Sequence, residues 1–93
     1  MHVLLLKMRL RLMSRTLKEK RSIVKSVLSR ARNSFNVACA ESELHDQPGD
    51  AELSFVALSF SVPDARRLLQ QVEEWVVETR PDVEVTDVLV EEL

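Results

Sequence analysis

Residues 3–12 read VLLLKMRLRL. In an extended chain Leu4, Leu6, Met8, Leu10 and Leu12 fall on one side, and Lys7, Arg9 and Arg11 on the other. This period of two predicts a strand with one face in a core and the other uncovered. Thr16 follows, with Glu19 three residues on, the signature of a capping box that opens a helix. The helix is predicted over Leu17 to Ser34. Leu17, Val24, Val27, Leu28 and Ala31, with Phe35 just beyond, share one arc at about 100° per residue.

The remaining elements follow outward from this pair. VACAESEL (37–44) predicts a second strand, and HDQPGD (45–50) a turn holding the chain's one glycine, Gly49. AELSFVALSF (51–60) is apolar on both faces, which predicts a strand in the middle of a sheet or one covered on both sides. Ser61 and Pro63 open a second helix. Its buried stripe is Ala65, Leu68, Leu69, Val72, Trp75, Val76 and Thr79, and Pro81 stops it. VEVTDVLV (83–90) is the last strand. The order β-α-β-β-α-β predicts an α+β, ferredoxin-like fold: a four-stranded antiparallel sheet with both helices on one face. The chain of 93 residues fits a single domain spanning 1–93.

Composition narrows the function classes. No apolar run approaches the ~18 residues of a membrane span. The opening MHVLLLKMRLRLM is not read as a secretory leader, because its longest apolar run is VLLL before Lys7, Arg9 and Arg11 intervene. One cysteine, Cys39, precludes an internal disulfide and fits a cytoplasmic location. The net charge is only −2, yet residues 1–36 carry +9 and residues 37–93 carry −11. Such segregation bears on partners or on self-association.

TLKEKRSIVKSVLSRARNSFNVACAE (16–41) and PDVEVTDVLVEEL (81–93) resemble the YlxP-like family of small bacterial proteins, a domain of unknown function. The resemblance covers nearly the whole chain. It implies the same ferredoxin-like fold and no established activity. Family members are often encoded beside translation and ribosome-maturation factors, which implies work near ribosomal RNA. Where the family tends to carry an aromatic between the second and third strands, this chain has Pro48.

The strongest surface pattern lies on the first helix. Lys18, Arg21, Lys25 and Arg32 stand at offsets 0, 3, 7 and 14, within an arc of roughly 60°, beside Ser22 and Ser29. Like charges in one row repel unless something anionic lies along them. A phosphate backbone would serve, as would the protein's own acidic half. Lys7, Arg9 and Arg11, on the uncovered sheet face, form a second basic patch. Lys20 projects into the middle of the apolar arc. It must either extend its ammonium to water or meet a carboxylate, with Glu41 and Glu43 the candidates for a structural ion pair.

Other chemistries find little support. Glu41, Glu43 and His45 alternate like metal ligands, but solvent-facing edge strands often look the same, so no metal site is expected. Cys39 reads as a small buried hydrophobe. One glycine supplies neither a phosphate loop nor a KH motif, and the first strand lacks the aromatics on which an RRM stacks bases. Arg15 and Asn33 invite comparison with acylphosphatase, whose anion loop requires a glycine that MSRT (13–16) lacks, as amino-acid-sensing ACT domains also require. The expectation is a non-enzymatic protein, without cofactor or small-molecule substrate, that binds ribosomal RNA or a ribosomal subunit. The alternative is a homodimeric protein-interaction module, joined through the open sheet face, whose basic and acidic halves pair.

Overall fold

The computed structural model describes all 93 residues. The elements are β1 (His2–Leu12), α1 (Leu17–Ser34), β2 (Ala38–Glu43), β3 (Asp50–Ser59), α2 (Val62–Thr79) and β4 (Val83–Glu92). They form a four-stranded antiparallel sheet in the order β2-β3-β1-β4. This is the α+β, ferredoxin-like architecture expected from the pattern. The doubly apolar strand, β3, is central, beside β1, while β2 and β4 are the edges.

The alternation in β1 does what its period dictates. Leu4, Leu6, Met8 and Leu10 are buried beneath the helices, and each faces an inward residue of β3: Ala57, Phe55, Leu53 and Ala51. Fully burying a side chain of this size contributes about 1.5–3 kcal/mol. From α1 the core receives Val24, Val27, Leu28 and Ala31, and from α2 it receives Ala65, Leu69, Val72 and Val76. Phe35 and Trp75 meet edge to face, with ring centroids 5.8 Å apart, and close the two helices at one end. Thr79 departs from the predicted stripe. It is exposed, and its hydroxyl donates to the Trp75 carbonyl at 2.6 Å. By angle it still lies within about 20° of Val72, so its place as the last residue of α2, and not its rotation, is what leaves it in water.

Both helix starts are capped as their sequences predict. The Glu19 N–H donates to Thr16 Oγ1 at 3.1 Å, and the Asp64 N–H to Ser61 Oγ at 3.3 Å. The turn after β2 also forms, but its left-handed residue is Leu44, at φ 65°, while Gly49 has an ordinary φ. A bulky residue with positive φ is an outlier that surrounding contacts must hold in place. Two of them act on the Leu44 carbonyl, which accepts the Gln47 N–H at 3.0 Å and the Lys20 ammonium. Ser14, between β1 and α1, donates to the Pro48 carbonyl at 2.6 Å and ties this turn to the start of α1. No helix is long and apolar enough to cross a membrane.

Candidate nucleic-acid interface

The first helix packs its apolar arc onto the sheet and leaves one flank overhanging β2. Lys18, Arg21, Lys25 and Arg32 lie on that flank and all are exposed. None has a carboxylate within 4.0 Å, whereas six ion pairs form elsewhere in the chain. Between the flank and β2 runs a groove of about 480 Å³, lined by Arg21, Val24, Lys25, Leu28, Ser29, Arg32 and Glu41. Three cations and one hydroxyl donor thus share a groove with a single carboxylate. Lys18, a turn earlier, lies outside the lining. Arg32 does more than face solvent, since its Nη2 donates to the Cys39 carbonyl at 2.6 Å and ties the helix end to the edge strand.

Lys20 goes the other way from its neighbours. It is 1% exposed, so its ammonium does not reach water. Its Nζ lies 3.0 Å from Glu41 Oε2 and donates to the Leu44 carbonyl. The contact with Glu41 is one of charge: Oε2 is buried and takes no hydrogen bond of good geometry. Glu43 is exposed and takes no part. A register shift between Glu41 and Glu43 sends the two residues apart. The same shift breaks the i, i+2, i+4 alternation with His45, whose Nε2 bonds the Glu41 carbonyl at 3.1 Å. The structure assembles no cluster of metal-ligating side chains here.

The second basic row is altered by its neighbours across the sheet. Lys7, Arg9 and Arg11 do lie on the open face, but Arg9 Nε donates to Glu52 Oε2 at 2.8 Å, and Arg11 lies 3.7 Å from Glu84. Asp87 stands opposite Arg9 on β4. The patch is therefore mixed in charge rather than basic. Glu52 is buried even on this uncovered face, because a chain of hydrogen bonds covers it. Ser54 donates to Ser42 at 2.8 Å, Ser42 donates to Glu52 Oε1 at 2.7 Å, and Arg9 takes the other oxygen. The Ser42 hydroxyl, with Arg9 behind it, holds the Glu52 carboxyl below its ordinary range despite partial desolvation.

Two further features are legible only in three dimensions. Arg80 grips Asp82 through two hydrogen bonds, at 3.0 and 2.7 Å, and donates a third to Ser26 of α1 at 2.8 Å. The Arg80 hydrogen bonds hold the Asp82 carboxyl below its usual value. Arg80 and Asp82 flank Pro81, a spacing that suits an arginine–carboxylate fork, but nothing local points to Ser26. Cys39 is buried, and burial pushes its thiol up more than the nearby Arg32 draws it down. Such a thiol is a poor nucleophile.

No curated protein matches this chain. Residues 3–90 do match a protein family, and the chain belongs to it: the family described as Protein of unknown function (DUF503).

Proposed function

We propose that this protein is a non-catalytic RNA- or ribosome-associated protein of the YlxP-like type, and that it holds phosphates along α1. One observation carries the reading: four exposed cations in a row, none paired within the chain, three of them lining a groove beside Ser29. The ten cations of the first 36 residues divide into those spent inside the fold and those left for a partner. Lys20 and Arg9 belong to the first group; Lys18, Arg21 and Lys25 belong to the second. Arg32 serves both. The row lies along a helix, where successive residues rise by about 1.5 Å, so Lys18 to Arg32 spans about 21 Å. That length suits several consecutive phosphates of one strand. The partner is ribosomal RNA or a ribosomal subunit, as the family resemblance implies, and the protein acts in the cytoplasm. Phosphates supply affinity without sequence selectivity, and neither central strand offers an aromatic on the open face for base stacking before Phe60.

Co-sedimentation of the purified protein with ribosomal subunits in a sucrose gradient tests this. Association at low salt that high salt removes is the expected result. Four single-strand phosphate contacts give a slope of about −3 in log affinity against log salt, at roughly −0.7 each. Arg21→Glu with Lys25→Glu abolishes the association while the circular dichroism spectrum is kept. These two positions are better than Arg32, which also supports β2. A protein that stays at the top of the gradient at both salts overturns the proposal.

A further inference from the structure

The open face of the sheet divides along its strands. At one end its two central strands are apolar, with Val3 and Leu5 of β1 beside Leu58 and Val56 of β3, and Glu91 stands at the rim on β4 opposite Leu5. At the other end it is charged, with Arg9 and Arg11 beside Glu52 and Asp50. Leu58 is 58% exposed, and Phe60, just past β3, is 85% exposed. Contiguous apolar surface of this kind, bordered by charge, marks a contact face.

We propose that a second copy of this chain covers the face, in a two-fold dimer whose axis runs along the strands between β1 and β3. Three features of the face select a copy of itself. The first is the division into ends. An axis along the strands lays apolar end on apolar end and charged end on charged end. An axis across them would press the apolar end of one copy onto the ion pairs of the other.

The second feature is charge. With this axis β1 of one copy crosses β3 of the other, and each β1–β3 register pair recurs between chains. Arg11 then lies over the partner copy's Asp50. Within one chain Arg11 is held only loosely, 3.7 Å from Glu84, and Asp50 forms no ion pair. The third feature is shape. Leu89 on β4 is 52% exposed and shares its row with Lys7, Ser54 and Ala40. At the opposite edge of that row lies an apolar hollow of about 220 Å³, lined by Ala38, Cys39, Ala40, Ser54 and Val56. The axis carries β4 of one copy over β2 of the other, so each Leu89 meets the partner's hollow. Knob and hole sit on one surface, as an isologous contact requires.

The area is adequate. Four strands about 4.8 Å apart and ten residues of about 3.3 Å give a face of roughly 600 Å² per protomer. Two such faces give about 1,200 Å², the lower end of specific interfaces. The sheets pack against each other, so the helices lie outermost and the α1 grooves of the two copies remain open on opposite sides. The dimer and the phosphate row are therefore independent of one another.

Sedimentation velocity at low and high micromolar concentration tests the proposal. The wild type is expected at twice the 10.7 kDa of one chain, and Leu58→Asp at 10.7 kDa with its circular dichroism spectrum kept. In a Cys39→Ala background, chains carrying Leu89→Cys mixed with chains carrying Ala40→Cys are expected to be joined by a short bis-maleimide, because facing sheets lie about 10 Å apart and beyond direct disulfide reach, and neither chain alone is. A wild type that stays at 10.7 kDa throughout overturns the dimer. A dimer that Leu58→Asp leaves whole and that forms no cross-link overturns this face as its interface. Arg21→Glu with Lys25→Glu leaves the dimer intact, so loss of RNA binding and loss of the dimer are read separately.

Discussion

Two runs of cations, alike in the sequence, meet different fates in the fold. Lys7, Arg9 and Arg11 lie in the middle of a sheet, between strands rich in carboxylates. Lys18, Arg21, Lys25 and Arg32 lie on a helix flank, above an edge strand. On the strand Arg9 is paired with Glu52, Arg11 lies 3.7 Å from Glu84 and Asp87 stands opposite Arg9, while the four helix cations have no carboxylate within 4.0 Å. Sheet neighbours stand about 5 Å apart on both sides of a central strand, so a charge there must come to terms with its opposite number. The flank of a helix at the edge of a sheet has neighbours on one side only. A run of like charges is left uncompensated only where the fold withholds counter-charges, and the acidic second half of this chain supplies them to Arg9 and Arg11 of the sheet and to Lys20 of the helix, but not to the helix flank.

Lys20 is the sharpest test of this contrast, because it belongs to the helix by sequence and to the interior by position. Lys20→Met leaves the Glu41 carboxylate buried without its cation. Breaking a buried pair in this way costs about 3–5 kcal/mol, and replacing both partners with apolar residues restores much of it. Chemical denaturation is expected to show a large loss for Lys20→Met and a partial recovery for Lys20→Met with Glu41→Leu. Lys18→Met, two residues away, is expected to change stability by less than about 0.5 kcal/mol. Equal losses for the two lysines would erase the distinction between them.

A smaller effect is expected from the Arg9–Glu52 pair, whose arginine is half in water. Arg9→Gln is expected to cost about 1 kcal/mol, as for a partly exposed charge-assisted hydrogen bond. The pair also carries a pH signature. The folded-state value of Glu52 is depressed below the ordinary 4.5, chiefly by the Ser42 hydroxyl and then by Arg9. Its contribution to stability is therefore full above the ordinary value and is lost as the pH falls through the depressed one. Unfolding free energy measured from about pH 6 down to pH 3 is expected to fall less steeply in Ser42→Ala and in Arg9→Gln than in the wild type.

Smallest of all is Arg11→Gln. Arg11 and Glu84 are each about two-thirds exposed and 3.7 Å apart, so the stability of one chain is expected to change by less than about 0.5 kcal/mol. A change well beyond that, growing with protein concentration, would mean that Arg11 acts between chains.

The architecture was written in local signals. The alternation of residues 4–12, the Thr16–Glu19 box, the Ser61–Pro63 start and the turn at 45–50 each concern groups within a few positions of one another, and each formed where the pattern placed it. Sequence spacing also put Lys18, Arg21, Lys25 and Arg32 in one row, because a helix converts spacing directly into angle. Charge pairing is of another kind. Arg9 meets Glu52 across 43 positions of chain, and Lys20 meets Glu41 across 21, through a strand register that no single segment contains. The one-residue shift in β2 separated Glu41 from Glu43, and no periodicity in residues 37–44 announced it. Periodicity is a property of a segment, so it survives in the sequence. Register, and with it the choice of which charges are silenced, arises only when segments pack and each buried ion finds the counter-charge it requires.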